Sequence, residues 1–102
     1  VDIKINAAAE RNRYEITVDG KAAGFTQYER RGEVIAFLHT EIDPEFSGKG
    51  LAGKLIRYAL DDVRDQELSV LPLCPFVRAF ITKHEEYVDL VPAADRPQFD
   101  LR

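Results

Sequence analysis

The chain reads as an α/β (α+β) domain, built on a mixed, mostly antiparallel sheet with one parallel strand–helix–strand crossover and two main helices. Three observations carry that reading. Alternating apolar residues flank two tight turns, Asp19-Gly20 and Arg31-Gly32; one long stretch, Leu51 to Val63, repeats its apolar residues at helical spacing; and short apolar runs bracket that stretch on both sides.

Taken in order, Val1 to Ile5 alternates weakly and fits a short edge strand or a frayed end, while Ala7-Ala8-Ala9-Glu10 carries no clear signal. Tyr14, Ile16 and Val18 then alternate with polar neighbours and stop at Asp19-Gly20, a strong hairpin turn, after which Ala22, Gly24 and Phe25-Thr26-Gln27-Tyr28 resume an antiparallel partner. The second turn leads into Val34-Ile35-Ala36-Phe37-Leu38-His39-Thr40-Glu41-Ile42, the expected central strand. Strict alternation assigns Val34, Ala36, Leu38, Thr40 and Ile42 to one face and Ile35, Phe37, His39, Glu41 and Asp43 to the other. That second face grows polar toward the carboxyl end, where sites in α/β proteins open.

Asp43-Pro44 ends the strand, because proline lacks the N–H that a ladder needs. In the helix that follows, Leu51, Ala52, Leu55, Ile56, Ala59, Leu60 and Val63 form one apolar stripe. Leu68-Ser69-Val70-Leu71 is the next short strand, stopped by Pro72, and the connection is a parallel crossover. Phe76, Val77, Phe80 and Ile81 mark a second helix with Pro75 at its first position, ended by Lys83-His84-Glu85-Glu86. Tyr87-Val88-Asp89-Leu90-Val91 suits a last strand, and an irregular tail is expected from Pro92.

The 102 residues suffice for a single domain over 1–102 with one modest core. With 45% hydrophobic and 31% charged residues the composition is that of a soluble globular protein. No apolar run approaches membrane-spanning length, and Val1-Asp2-Ile3-Lys4-Ile5 lacks the marks of a secretory signal, so a cytoplasmic location and no membrane partner are expected. A formal net charge of −4 argues against indiscriminate nucleic-acid binding. The one cysteine, Cys74, closes no internal disulfide, and with only His39 and His84 beside it there is no zinc spacing; no metal is expected.

The function is expected where the central strand runs through a glycine-rich turn into the helix, Glu41 to Leu55. Glycines let a backbone approach a ligand closely, and the first turn of a helix offers unpaired N–H groups and a positive dipole end, a combination that binds phosphates. The helix charges point the same way: Lys49, Lys54 and Arg57 lie toward its start and Asp61, Asp62, Asp65 and Glu67 toward its end, the reverse of what the dipole favours. A solvated face with charges so placed by chance is the plain alternative. Gly48-Lys49-Gly50-Leu51-Ala52-Gly53 matches the dinucleotide pattern G-x-G-x-x-G, but no acidic residue stands at the end of the next strand to hold a ribose. Gly48 through Lys54 also reads G-x-x-x-x-G-K, but Leu55 occupies the position where a P-loop needs Ser or Thr.

A third match covers most of the chain. Hairpin strands, then His39-Thr40-Glu41 on the central strand, Gly48-Lys49-Gly50 opening a helix, Pro72-Leu73-Cys74 after the next strand and the later Lys83-His84-Glu85-Glu86-Tyr87 together resemble the small single-domain branch of the GNAT (GCN5-related N-acetyltransferase) superfamily. The resemblance implies a minimal GNAT-like fold and acetyl transfer from acetyl-coenzyme A, a cosubstrate, to a primary amine such as a protein lysine or N-terminus. It implies that the coenzyme pyrophosphate rests on Gly48, Lys49, Gly50, Leu51, Ala52 and Gly53, and that the pantetheine arm runs beside the central strand at Thr40 and Ile42. Ser47 departs from the Gln or Arg that opens the family's loop pattern. His39 and Glu41, at i and i+2, are placed to share a base or relay role, and Cys74 to serve as acid or nucleophile, since Ile81 falls where larger members often carry a tyrosine acid. The acceptor is an amine-bearing small molecule or a protein segment, and so short a chain leaves its acceptor side open. A non-catalytic coenzyme A-binding module is the alternative reading.

Overall fold

A computed structural model of the chain describes residues 2–101. Val1, at the start of the expected first strand, lies outside them. Five strands form one sheet in the order β1-β2-β3-β4-β5: β1 is Ile3–Ala8, β2 Arg13–Val18, β3 Lys21–Arg31, β4 Val34–Ile42 and β5 Ser69–Pro72. The first four form an antiparallel meander, and β5 runs parallel to β4. Helix α1, Leu51–Asp65, crosses from β4 to β5, and α2, Pro75–Lys83, follows β5. The mixed α/β class expected of the sequence is therefore the class observed.

Helix α1 holds the core together. Leu51, Leu55, Ile56, Ala59, Leu60 and Val63 are buried and join Tyr14, Ile16, Ile35, Phe37 and Val70 of the sheet and Val77, Phe80 and Ile81 of α2 in one apolar cluster. Each fully buried Leu, Ile or Val contributes about 1.5–3 kcal/mol. Fifteen residues of helix are marginal in isolation, so this stripe rather than intrinsic propensity fixes α1.

Three local expectations are corrected. The alternation along β4 breaks at Leu38: Gln27 pairs with His39 but Tyr28 pairs with Phe37, so Leu38 is the extra residue of a bulge. Phe37 therefore faces the helices, whereas His39 and Glu41 face away and Thr40 turns inward beside the wholly buried Thr26. Second, Glu85–Leu90 is a 3-10 segment and not a strand. Its three-residue period buries Tyr87 and Leu90 together and leaves Asp89 exposed to pair with Arg64, which strand alternation could not do. Third, the tail is ordered: Ala93–Phe99 winds into a 3-10 segment, Phe99 and Leu101 are buried, and Arg78 donates to the Phe99 carbonyl at 3.1 Å.

Candidate functional site

Three structural features meet at the carboxyl end of β4. The first is the parting of two parallel strands. β5 pairs with β4 only from Val34–Ser69 to Phe37–Pro72, so residues 38–42 of β4 have a strand partner on the β3 side alone. Cys74 sits where they part, its N–H donating to the Phe37 carbonyl at 2.8 Å and its Sγ 3.4 Å from Thr40 Oγ1. The Cys74 side chain is buried and Cys74 is also the N-cap of α2.

The second is the turn into α1. Asp43 accepts from the Glu45 N–H at 3.0 Å and the Ser47 hydroxyl donates to the Pro44 carbonyl at 3.0 Å, which ties the loop to itself. Gly50 is the N-cap of α1 with φ +73°, a left-handed conformation that L side chains adopt only at a cost. No side chain caps this helix end and no acid stands in its first turn. Of the residues the sequence assigns here, Gly48 and Lys49 lie in the exposed turn and Ala52 and Gly53 in the first helical turn. Leu51 differs: its side chain is core, which leaves only its backbone to a ligand.

The third is a groove of about 410 Å³ between α1 and α2, lined by Gly50, Gly53, Lys54 and Arg57 from one helix and by Phe76, Ala79, Phe80, Lys83 and His84 from the other. No carboxylate is among these residues. Arg57 stacks over Phe80 and Tyr87, donates to the Tyr87 hydroxyl at 3.0 Å and lies 3.7 Å from the Glu86 carboxylate, so part of its donor set and of its charge is held by the protein. His84 stacks on Phe80 with ring centroids 4.0 Å apart. Its Nδ1 lies 2.8 Å from the Phe80 carbonyl, which can only accept, so Nδ1 carries a hydrogen and Nε2 is left to other partners. The sequence had offered Lys54 and Arg57 only as a charge asymmetry, and Phe76, Phe80, Lys83 and His84 as helix and helix end. A sharper signal was present: 50, 53, 54, 57 and 76, 79, 80, 83 share the i, i+3, i+4, i+7 spacing of one helix face.

His39 and Glu41 are brought together, Nε2 to Oε2 at 3.1 Å, with side chains 59% and 63% exposed. They stand on the sheet face that α1 does not cover, beside Phe25, Gln27 and the half-buried Arg13, whose guanidinium lies 4.5 Å from the Phe25 ring centre. Thr40, Ile42 and Cys74 lie on or toward the helix side. The bulge at Leu38 sets His39 and Glu41 on the face opposite Phe37, so the residues assigned to catalysis fall on two sides of β4, His39 and Glu41 on one and Cys74 on the other.

The model of a GCN5-related N-acetyl-transferase family matches residues 13–90. No curated protein matches the sequence. Among solved structures, a GCN5-like protein from Staphylococcus aureus superposes with a TM-score of 0.65 at 22% identity, over 89% of this chain and 87% of that one. The ribosomal-protein-S18-alanine N-acetyltransferase from Escherichia coli superposes with a TM-score of 0.55 at 19% identity, over 57% and 38% of the two chains. Ard1 from Thermoplasma volcanium gives 0.52 at 24% identity, over 58% and 41%. The match thus spans well under half the length of the last two, and all three share the fold.

Proposed function

The chain belongs to the GCN5-related N-acetyltransferase family, and from that premise we propose that it binds acetyl-coenzyme A between α1 and α2 and transfers the acetyl group to a primary amine. The observation that carries this reading is the groove itself: Lys54, Lys83 and Arg57, the last with the Glu86 carboxylate 3.7 Å away, line it, and the uncapped start of α1 opens into it. A diphosphate beside Gly50 would take the free N–H groups and the positive end of the dipole, and a further phosphate the lysines. The strand edge of residues 38–42, unpaired on the β5 side, suits an arm bearing amides, with Thr40 and Ile42 alongside it.

His39 and Glu41 are assigned to the acceptor. An amine must lose a proton before it attacks, and this hydrogen-bonded pair is open on the uncovered face, where a small amine or a protein segment has access. As the new C–N bond forms and the C–S bond breaks, the electron pair goes to the coenzyme sulfur. Cys74, at the parting of β4 and β5, is assigned to give that sulfur its proton.

Calorimetric titration with coenzyme A and turnover of acetyl-coenzyme A over an amine panel test the reading on wild type, His39→Ala and Cys74→Ser. Expected are coenzyme binding in all three and reduced turnover in both variants. Absence of binding by folded wild type overturns the proposal, and binding with equal background rates in all three leaves a coenzyme-binding module without catalysis.

A further inference from the structure

Thr26 is the one polar side chain among the described residues that is wholly buried, and its hydroxyl begins a chain across three elements. Thr26 Oγ1 lies 2.9 Å from Thr40 Oγ1, which lies 3.4 Å from Cys74 Sγ. No described buried side-chain oxygen or nitrogen lacks a partner. Counting hydrogens orients the chain. Thr26 Oγ1 meets only Thr40, so its hydrogen must go there or stay buried and unpaired, which costs about 1–3 kcal/mol. Thr40 then accepts from Thr26 and is free to donate onward to sulfur, and O–H is a stronger donor than S–H.

We infer that Thr26 is a positioning residue: acting through Thr40, it holds the Cys74 sulfur as a hydrogen-bond acceptor and turns the S–H hydrogen away from Thr40, toward the opening between β4 and β5. The inference deepens the acetyl-transfer reading and rests on it for its purpose. A sulfur that accepts from Thr40 is better placed to release its own hydrogen to the coenzyme sulfur that leaves, and Thr40 then stabilises the Cys74 thiolate until solvent returns the proton. Reversed polarity would aim the thiol hydrogen at Thr40, where no departing group can take it.

Cys74 is the chain's single cysteine, so the infrared S–H stretch reports this one group. In wild type the band is expected at the position of a thiol that donates to no protein oxygen. In Thr26→Val the Thr40 hydroxyl is left without the partner that fixes its orientation, so a fraction of the thiol is expected to turn its hydrogen onto the Thr40 oxygen and to add a lowered S–H band; Thr26→Ser restores the single wild-type band. A lowered band already present in wild type, no lowered band in Thr26→Val, or no restoration by serine overturns the inference. Should valine prevent folding, Thr26→Ala gives the same comparison. In turnover, Thr26→Val is expected to lower kcat about three- to tenfold, the loss of one hydrogen bond, with KM for acetyl-coenzyme A within about twofold. In a Cys74→Ala background the same substitution is expected to leave kcat unchanged, and an equal further fall there overturns the role through Cys74. Failure of wild type to bind coenzyme A removes the acetyl-transfer reading, while the S–H band still decides the polarity of the chain.

Discussion

The Tyr14 hydroxyl donates to the Asp62 carboxylate at 2.7 Å, joining the second strand to the last turns of α1. Tyr87 does the same to Asp61 at 2.7 Å. Two of the four acids that crowd the negative end of α1 against its dipole, Asp61 and Asp62, are therefore acceptors for buried phenols, and these tertiary hydrogen bonds offset their unfavourable placement. Tyr14→Phe is expected to destabilise the fold by about 1.5–3 kcal/mol, the range for a hydrogen bond to a charged group, read from urea unfolding at neutral pH.

The same phenol makes stability fall in alkali. Burial first, and then the hydrogen bond to Asp62, push the Tyr14 hydroxyl well above the ordinary phenol range. Its folded pKa is thus raised above the unfolded value of 10.0. The stabilisation is present in full below pH 10 and is lost as the unfolded chain ionises above it, at up to about 1.4 kcal/mol per pH unit. Urea midpoints from pH 8 to 11 should fall less steeply in Tyr14→Phe than in wild type. Equal slopes would show that this phenol does not contribute.

Gly24 faces the end of β4 with no room for a side chain. A Cβ there would lie 2.4 Å from the Glu41 carbonyl and 2.6 Å from Ile42 Cδ1. Gly24→Ala is expected to cost about 1–3 kcal/mol, as overpacking does, and to displace the backbone that carries Glu41. Thermal unfolding and the backbone NMR shifts of residues 39–42 check both parts, and a variant as stable as wild type with unmoved shifts would contradict them.

Lys54 and Lys83 approach the groove from opposite helices. Replacing both with alanine is expected to weaken coenzyme A binding by about tenfold or more and to flatten its dependence on salt, because charge-assisted bonds to phosphate are lost while the core is untouched. Calorimetry at two ionic strengths checks this; unchanged affinity would move the phosphate site away from the groove.

Phe99 tests the docking of the tail. It is 4% exposed within the core cluster, so Phe99→Ala is expected to cost about 3–5 kcal/mol, whereas a loose tail would tolerate it. Denaturant midpoints distinguish the two.

What the sequence by itself determined was local. The hairpin turns, the apolar stripe of α1, the glycine turn and the two short elements after it are each specified by residues a few positions apart, and the periods of 2 and 3.6 expose them directly. The tertiary structure decided what depends on distant partners meeting. Strict alternation put His39 and Glu41 on the side of Phe37, and only the pairing of β3 with β4 reveals that Leu38 is extra and that the polar pair faces the other way. Tyr87 to Val91 has the composition of a strand, but Asp61, Arg57 and Phe80 hold Tyr87 in a tighter turn. The groove needs two helices side by side, and the Thr26–Thr40–Cys74 chain needs three elements to converge. Neighbours along the chain set the conformation of each segment, whereas a site is made where segments far apart in the chain are packed against one another.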